Sequence, residues 1–219
     1  MIKWSEVETV LLDMDGTLID LKYDNFLWTQ RLPELFAAAN GLSVEAARDH
    51  LFAKMADTSE SLDFYCLDYW AEFTKINIDA LHIELSSLVE FRTNAECFIK
   101  AVRASGRRAV LVTNAHPKSL AIKDNQVGLI ALVDAAFSSH DLGLPKEYNS
   151  FWPALANREP YDPIRTLVID DNVSVLRAAH SSGIKHLVCV SQPDSTKPPR
   201  KDLPFHAFNS FEEIMNFSW

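Results

Sequence analysis

Asp13 and Asp15 stand two residues apart in LLDMDGTLID, residues 11–20, at the point where an apolar run ends. Packing alone gives no reason to gather like charges at the mouth of a core, because a buried charge needs a partner. Groups of the same character follow at three later points. They are Thr113-Asn114 at the end of RAVLVTN, Lys146 in GLPKEY, and Asp170-Asp171 at the end of RTLVIDD. Four carboxylates in one crevice repel one another unless a cation neutralises them. Mg²⁺ suits, since it takes oxygen ligands and keeps waters and a substrate phosphate in its shell. Lys146 supplies a point charge for a phosphate. Pro117 fits the first turn of a helix, and backbone N–H groups leading into such a turn bind anions. The ensemble reads as a phosphate site built around a metal, suited to a small phosphate ester.

Such a site needs elements that bring distant residues together. Four short apolar runs, at 9–14, 108–113, 165–170 and 185–190, read as buried parallel strands, with 135–139 as a fifth. Helical patterns lie between them. Ala95, Phe98, Ile99 and Val102 share one helix face, with Asn94 as N-cap and Gly106 as stop, and another helix spans 173–182. Alternating strands and helices predict an α/β fold, a doubly wound parallel sheet. Ligands of such sheets bind at the carboxyl ends of the strands, where every residue above except Lys146 falls. Residues 19–92 break the rhythm. Stretches 25–40, 43–56 and 78–91 read as helices, with Ser43 as an N-cap and Pro33 kinking or splitting the first. The chain therefore divides into an α/β core, 1–18 and 93–219, and an inserted all-helical cap, 19–92.

The 219 residues are 47% hydrophobic, enough for a sizeable core, and carry a net charge of −9. That charge argues against long nucleic acid, which needs clustered Lys and Arg. No run of 18 apolar residues and no secretory signal is present. Cys66, Cys97 and Cys189 have no CxxC spacing and read as reduced, mostly buried thiols of a cytoplasmic protein. The stretch 191–204, with Lys197, Arg200 and Lys201, reads as a solvated surface loop.

DMDGT at 13–17, VTN at 112–114, Lys146 and IDDN at 169–172, in that order, resemble the four motifs of the haloacid dehalogenase superfamily. The likeness covers the whole chain, with 19–92 resembling that family's helical C1-type cap. It implies that Asp13 is the nucleophile, forming an aspartyl-phosphate, and that Asp15 is the general acid and then the base. It implies that the Asp13 side chain, the Asp15 carbonyl and the Asp170 side chain hold Mg²⁺, with Asp171 orienting them or capping a helix. Thr113, Asn114 and Lys146 would hold the phosphoryl oxygens. Dehalogenases of the superfamily lack an acid at the position of Asp15, and transporting ATPases carry threonine there, so this chain resembles the phosphatases and mutases. WSEVETVLLDMDGTLIDL, FYCLDYW, LVTNAHPKSLAIK, GLPKE and QPDS further resemble the bacterial GMP/IMP nucleotidases, which implies purine nucleoside 5′-monophosphates as substrates.

Other readings make different demands. A phosphatase for phosphoglycolate or a sugar phosphate, or a phosphoglucomutase-type transferase, would use the same core under another cap. A receiver-type signalling domain would place its phospho-acceptor on the third strand. A binding protein with a dead site would lack one of the catalytic residue types. The aromatic residues Trp28, Tyr65, Tyr69 and Trp70 could stack on a purine or form the cap's own core. Asp20 and His116 could each meet substrate, or serve the chain locally.

Overall fold

The computed structural model describes residues 2–215. Six parallel strands, β1 (Thr9–Leu12), β2 (Arg108–Thr113), β3 (Ala135–Ser138), β4 (Thr166–Asp170), β5 (His186–Val190) and β6 (His206–Phe208), form one sheet in the order β3-β2-β1-β4-β5-β6. Leu12 lies level with Leu111 on one side and Ile169 on the other, so the carboxyl ends of the three central strands emerge on one edge. β1 is shorter than the apolar run suggests. Asp13 still donates its N–H to Ile169, but Thr17, Leu18 and Ile19 all turn back to the Met14 carbonyl, which ends the strand in a tight loop. The edge strand β6 was not expected from the sequence.

After β1 the regular elements are helical as far as Leu88. They are α1 (Lys22–Phe26), α2 (Leu32–Asn40), α3 (Val44–Thr58), α4 (Leu62–Tyr65), α5 (Leu67–Thr74) and α6 (Ile78–Glu84). Pro33 does not split the first stretch, which runs helically from Lys22 to Asn40. It has no N–H for the Thr29 carbonyl, and the chain widens into a π turn over Leu27–Arg31, with Leu32 donating to Leu27. Ser43 caps α3 as expected, accepting from the Ala46 N–H at 3.2 Å. The helix expected over 78–91 stops at Glu84, ahead of a 3₁₀ turn, and Phe91 then pairs with Ile19 in an antiparallel bridge beneath the helices.

The core continues with α7 (Ala95–Ala104), α8 (Pro117–Val127), α9 (Ser139–Leu142), α10 (Phe151–Arg158) and α11 (Val173–Ser181). Asn94 does not cap α7. It lies in the left-handed region at φ 64° and donates its side-chain amide to Glu212. Alternate strand residues face opposite ways. Val10, Leu12, Leu111 and Ile169 pack with Phe98 and Ile99 of α7, in a core that continues into the helices between β1 and β2. Leu11, Val110, Val112 and Val168 pack with Trp152 of α10 and Leu176 of α11. The sheet is thus covered on both faces, as a doubly wound fold requires. Among the described residues no helix is long and apolar enough to cross a membrane. Of the three free thiols only Cys189 is buried, while Cys66 is half-buried and Cys97 exposed, so the cysteines are not mostly buried.

Candidate active site

The Nζ of Lys146 sits at the centre of the strand-end crevice. It donates to Asp13 Oδ1 at 2.6 Å, to Asp170 Oδ2 at 2.8 Å and to the Val112 carbonyl at 2.9 Å. The local sequence fixes this placement. The Lys146 N–H donates to Asn114 Oδ1, and Trp152 Nε1 donates to the Lys146 carbonyl, so the backbone is held on both sides. Burial alone would lower the lysine, but Asp13 and Asp170 more than reverse that and hold it above its usual range.

The carboxylates shift the other way. Burial, with repulsion from Asp170 and Asp171, drives Asp13 well above the usual carboxylate range despite Lys146. Burial also raises Asp170, and it pushes Asp171 up to about 7 together with the charge of Asp170, against the pull of Arg200. Carboxylate oxygens of Asp13, Asp170 and Asp171 lie within 4.8 Å of one another, and Asp13 Oδ2 is buried with no hydrogen-bond partner. An orphaned oxygen among three crowded acids is the donor set that a hard divalent cation satisfies.

Gly16 lets the loop carry these acids. Its φ is +84°, and a Cβ there would stand 2.9 Å from Asp171 Cγ and from Pro193 Cβ. Asn172 is the residue that caps α11, accepting from the Ser174 N–H at 2.9 Å while its own N–H donates to Asp170 Oδ1. Asp171 is therefore not a cap, and its carboxylate belongs to the acidic cluster.

Thr113 and Asn114 lie beside the acids but use their side chains differently. Thr113 Oγ1 accepts from the Ala115 N–H, which leaves the hydroxyl proton to donate. Asn114 spends both side-chain atoms on scaffolding: Oδ1 on Lys146 and Nδ2 on Glu147 Oε2 at 2.9 Å. Glu147 also accepts from Asn172, and from the Tyr65 hydroxyl at 2.8 Å. Tyr65 comes from α4, so a helix of the 19–92 stretch borders the phosphate-sized pocket of about 80 Å³ that Thr113, Asn114, Asn172 and the acids also line. Sequence reasoning missed Glu147. Its signal was its place directly after Lys146.

A second cavity, of about 320 Å³, adjoins the first at Asp15, Tyr65 and Ala115. Trp28, Tyr65 and Trp70 line it and Tyr69 does not. Two buried polar atoms among its lining residues lack partners, Asp24 Oδ2 and His82 Nε2. His116 caps α8 through Nδ1 and also lines this cavity. Asp20 serves the chain, accepting from the N–H groups of Lys22 and Ser195. Arg200 is exposed, as expected of that loop, but it is not idle. It donates to the carbonyls of Asp171 and Val190, tying the 191–204 stretch to the acidic loop.

The family model of the haloacid dehalogenase-like hydrolases matches residues 7–183. The chain is 41% identical over 214 residues to the GMP/IMP nucleotidase YrfG of Escherichia coli (strain K12), covering 98% of this chain and 96% of that one, and equally so to that of Shigella flexneri. Its fold matches the crystal structure of a HAD phosphatase from Thermococcus onnurineus with a TM-score of 0.79 at 16% identity, over 95% of this chain and 96% of that one. With the acids, the lysine and the hydroxyl gathered at the strand ends, the chain belongs to the haloacid dehalogenase-like hydrolases and is a phosphoric monoester hydrolase among them.

Proposed function

We propose that this enzyme hydrolyses purine nucleoside 5′-monophosphates, GMP and IMP, to nucleoside and phosphate, with Mg²⁺ and through an aspartyl-phosphate. The observation that carries this reading is the pairing of a small charged pocket with an adjoining aromatic cavity, with Asp15 at their junction. The relatives named for that activity support it. The Asp13 and Asp170 side chains and the Asp15 carbonyl would hold Mg²⁺, with Asp171 beside them. When bound, the ion offsets the charge of the acids and of the phosphoryl group.

The chain's own residues then have defined tasks. The Asp13 carboxylate attacks phosphorus as the bond to the ester oxygen breaks. Asp15 gives its proton to the departing nucleoside oxygen. It then takes a proton from the water that attacks the phospho-enzyme, and Asp13 is freed with release of phosphate. Lys146 and the Thr113 hydroxyl hold phosphoryl oxygens as charge shifts onto them. Asn114 acts on phosphate through its backbone and through Lys146. Trp28 and Trp70 border the space for the purine, and the unpartnered Asp24 Oδ2 and His82 Nε2 meet polar atoms of the nucleoside. Residues 19–92 act as a cap on a core of 1–18 and 93–219, and the last four residues of that core range lie outside the described residues. The three unpaired thiols suit a cytoplasmic enzyme.

Phosphate release with Mg²⁺ against GMP, IMP, AMP, pyrimidine monophosphates, phosphoglycolate and hexose phosphates tests this. The reading expects the highest kcat/KM for GMP and IMP. A preference for phosphoglycolate or a hexose phosphate would overturn the substrate and keep the mechanism.

A further inference from the structure

Lys123 is the one fully buried lysine besides Lys146 among the described residues, and the chemistry above makes no use of it. It projects from α8 toward α1. Its Nζ donates to Asp15 Oδ1 at 2.6 Å and to Asp24 Oδ1 at 2.6 Å, and lies over the Tyr23 ring, 5.2 Å from its centroid. Burying an ammonium is costly unless its donors are used. Here both charged partners come from elsewhere in the fold, one from the catalytic loop and one from the first cap-region helix. The Asp15 carboxylate itself is partly open to the pockets, with 23% of its side chain exposed.

We propose that Lys123 is the positioning residue for Asp15: anchored on Asp24, it holds Asp15 Oδ1 so that the other oxygen faces the ester oxygen of the substrate. This rests on the reading of Asp15 as the group that protonates the leaving oxygen. A short aspartate with one oxygen fixed loses most of its side-chain freedom, and a group aimed in advance transfers its proton without first being ordered. Sharing the ammonium with Asp24 leaves no net positive charge beside Asp15, so the contact directs the carboxylate without neutralising it outright. Because Asp24 also lines the larger cavity, the anchor runs from the reacting oxygen to the wall of the leaving-group space.

A structural lysine and a positioning lysine predict different kinetics. A good leaving group departs with little help from an acid, while a poor one depends on it. The test measures kcat/KM with Mg²⁺ for a series of phenyl phosphates of similar shape, from 4-nitrophenyl to 4-methoxyphenyl phosphate. kcat/KM reports transfer to Asp13 whatever the later hydrolysis rate. Lys123→Met should make the dependence on leaving-group acidity steeper. It should lose about tenfold or more extra on the poorest leaving group, a fraction of what a proton-transfer group supplies. Asp24→Asn keeps the lysine and loosens its anchor, so it should steepen the dependence in the same sense by less, and it carries the test if Lys123→Met does not fold. A uniform loss across the series in both variants, or an unchanged slope, overturns the proposal. Asp15→Asn serves as reference. If its slope is steep and those of the other two match wild type, Lys123 is structural and the reading of Asp15 stands. If Asp15→Asn itself leaves the slope unchanged, the reading of Asp15 fails and the proposal fails with it.

Discussion

One oxygen of Asp13 is tied to Lys146 and the other is buried without a partner. Asp13→Asn should keep the first contact through its amide oxygen, preserve the fold and remove the proposed nucleophile. Steady phosphate release should then fall to background, and sustained turnover by that variant would refute the assignment. Gly16 tests the loop rather than the chemistry. Alanine at φ +84° costs about 1–3 kcal/mol in the backbone alone, and its Cβ would collide with Asp171 and Pro193. Gly16→Ala should lower the thermal midpoint by about 2–4 °C for each kcal/mol and lower kcat, because Asp171 must move. A midpoint equal to wild type would show that the loop yields freely. That Asp13, Asp15 and Asp170 meet at one edge of the sheet was legible in the sequence because strand ends can be counted from apolar runs, and Lys146, in a loop, was legible only from its place between the motifs. Lys123 and Glu147 were not. A lysine in a helix is usually solvated, and only its position between Leu120 and Val127, on the line of α8 that also carries apolar residues, marked it. Its partners lie 108 and 99 residues away.

At the scale of elements, four parallel strands and the α7 and α11 helices follow from apolar period and length. The elements that escaped are the ones whose patterns are short or mixed. β6 is three residues long, with only Phe208 buried. α4 and α5, over 62–74, are rich in aromatic residues, which are weak helix formers that strands also favour. They matter because α4 delivers Tyr65. Burial and the neighbouring Glu147 raise the Tyr65 hydroxyl far above its usual range, so it remains a donor. Tyr65→Phe leaves Glu147 with two amide donors, from Asn114 and Asn172. No buried charge is stranded, so the thermal midpoint should fall by no more than about a few degrees. What is lost is a bond between α4 and the strand-end crevice, worth about 0.5–1.5 kcal/mol. KM for the proposed nucleotide substrate should rise by up to about tenfold, with the change in kcat smaller. An unchanged KM would mean that substrate binding does not depend on this bond.

Across the whole molecule, acids outnumber bases, and three of the acids meet where the sheet opens. The chain has 30 Asp and Glu against 21 Lys and Arg, and the fold brings Asp13, Asp170 and Asp171 together with their carboxyls raised, Asp171 to about 7. This has a measurable sign. In the metal-free protein these acids keep protons that the unfolded chain releases near pH 4. The stability they contribute is therefore full below that pH and is lost as pH rises toward about 7. A divalent cation needs the carboxylates ionised, so its binding displaces those protons and strengthens as pH rises. The gain in thermal midpoint on replacing EDTA with Mg²⁺ should therefore widen from pH 5 to pH 8. Mg²⁺ at a hundred times its dissociation constant stabilises by about 2.7 kcal/mol. Groups that touch neither the three acids nor the ion cancel in this difference. His82, which burial lowers to about 3, destabilises the fold below pH 6.5 to the same extent in both conditions. A gain that is constant across the range would mean that the three acids are already ionised without metal, and that the charge at the sheet edge is offset by Lys146 alone. Asp171→Asn should flatten the pH dependence while keeping most of the gain, because it removes a proton to be displaced and leaves Asp13 and Asp170 in place.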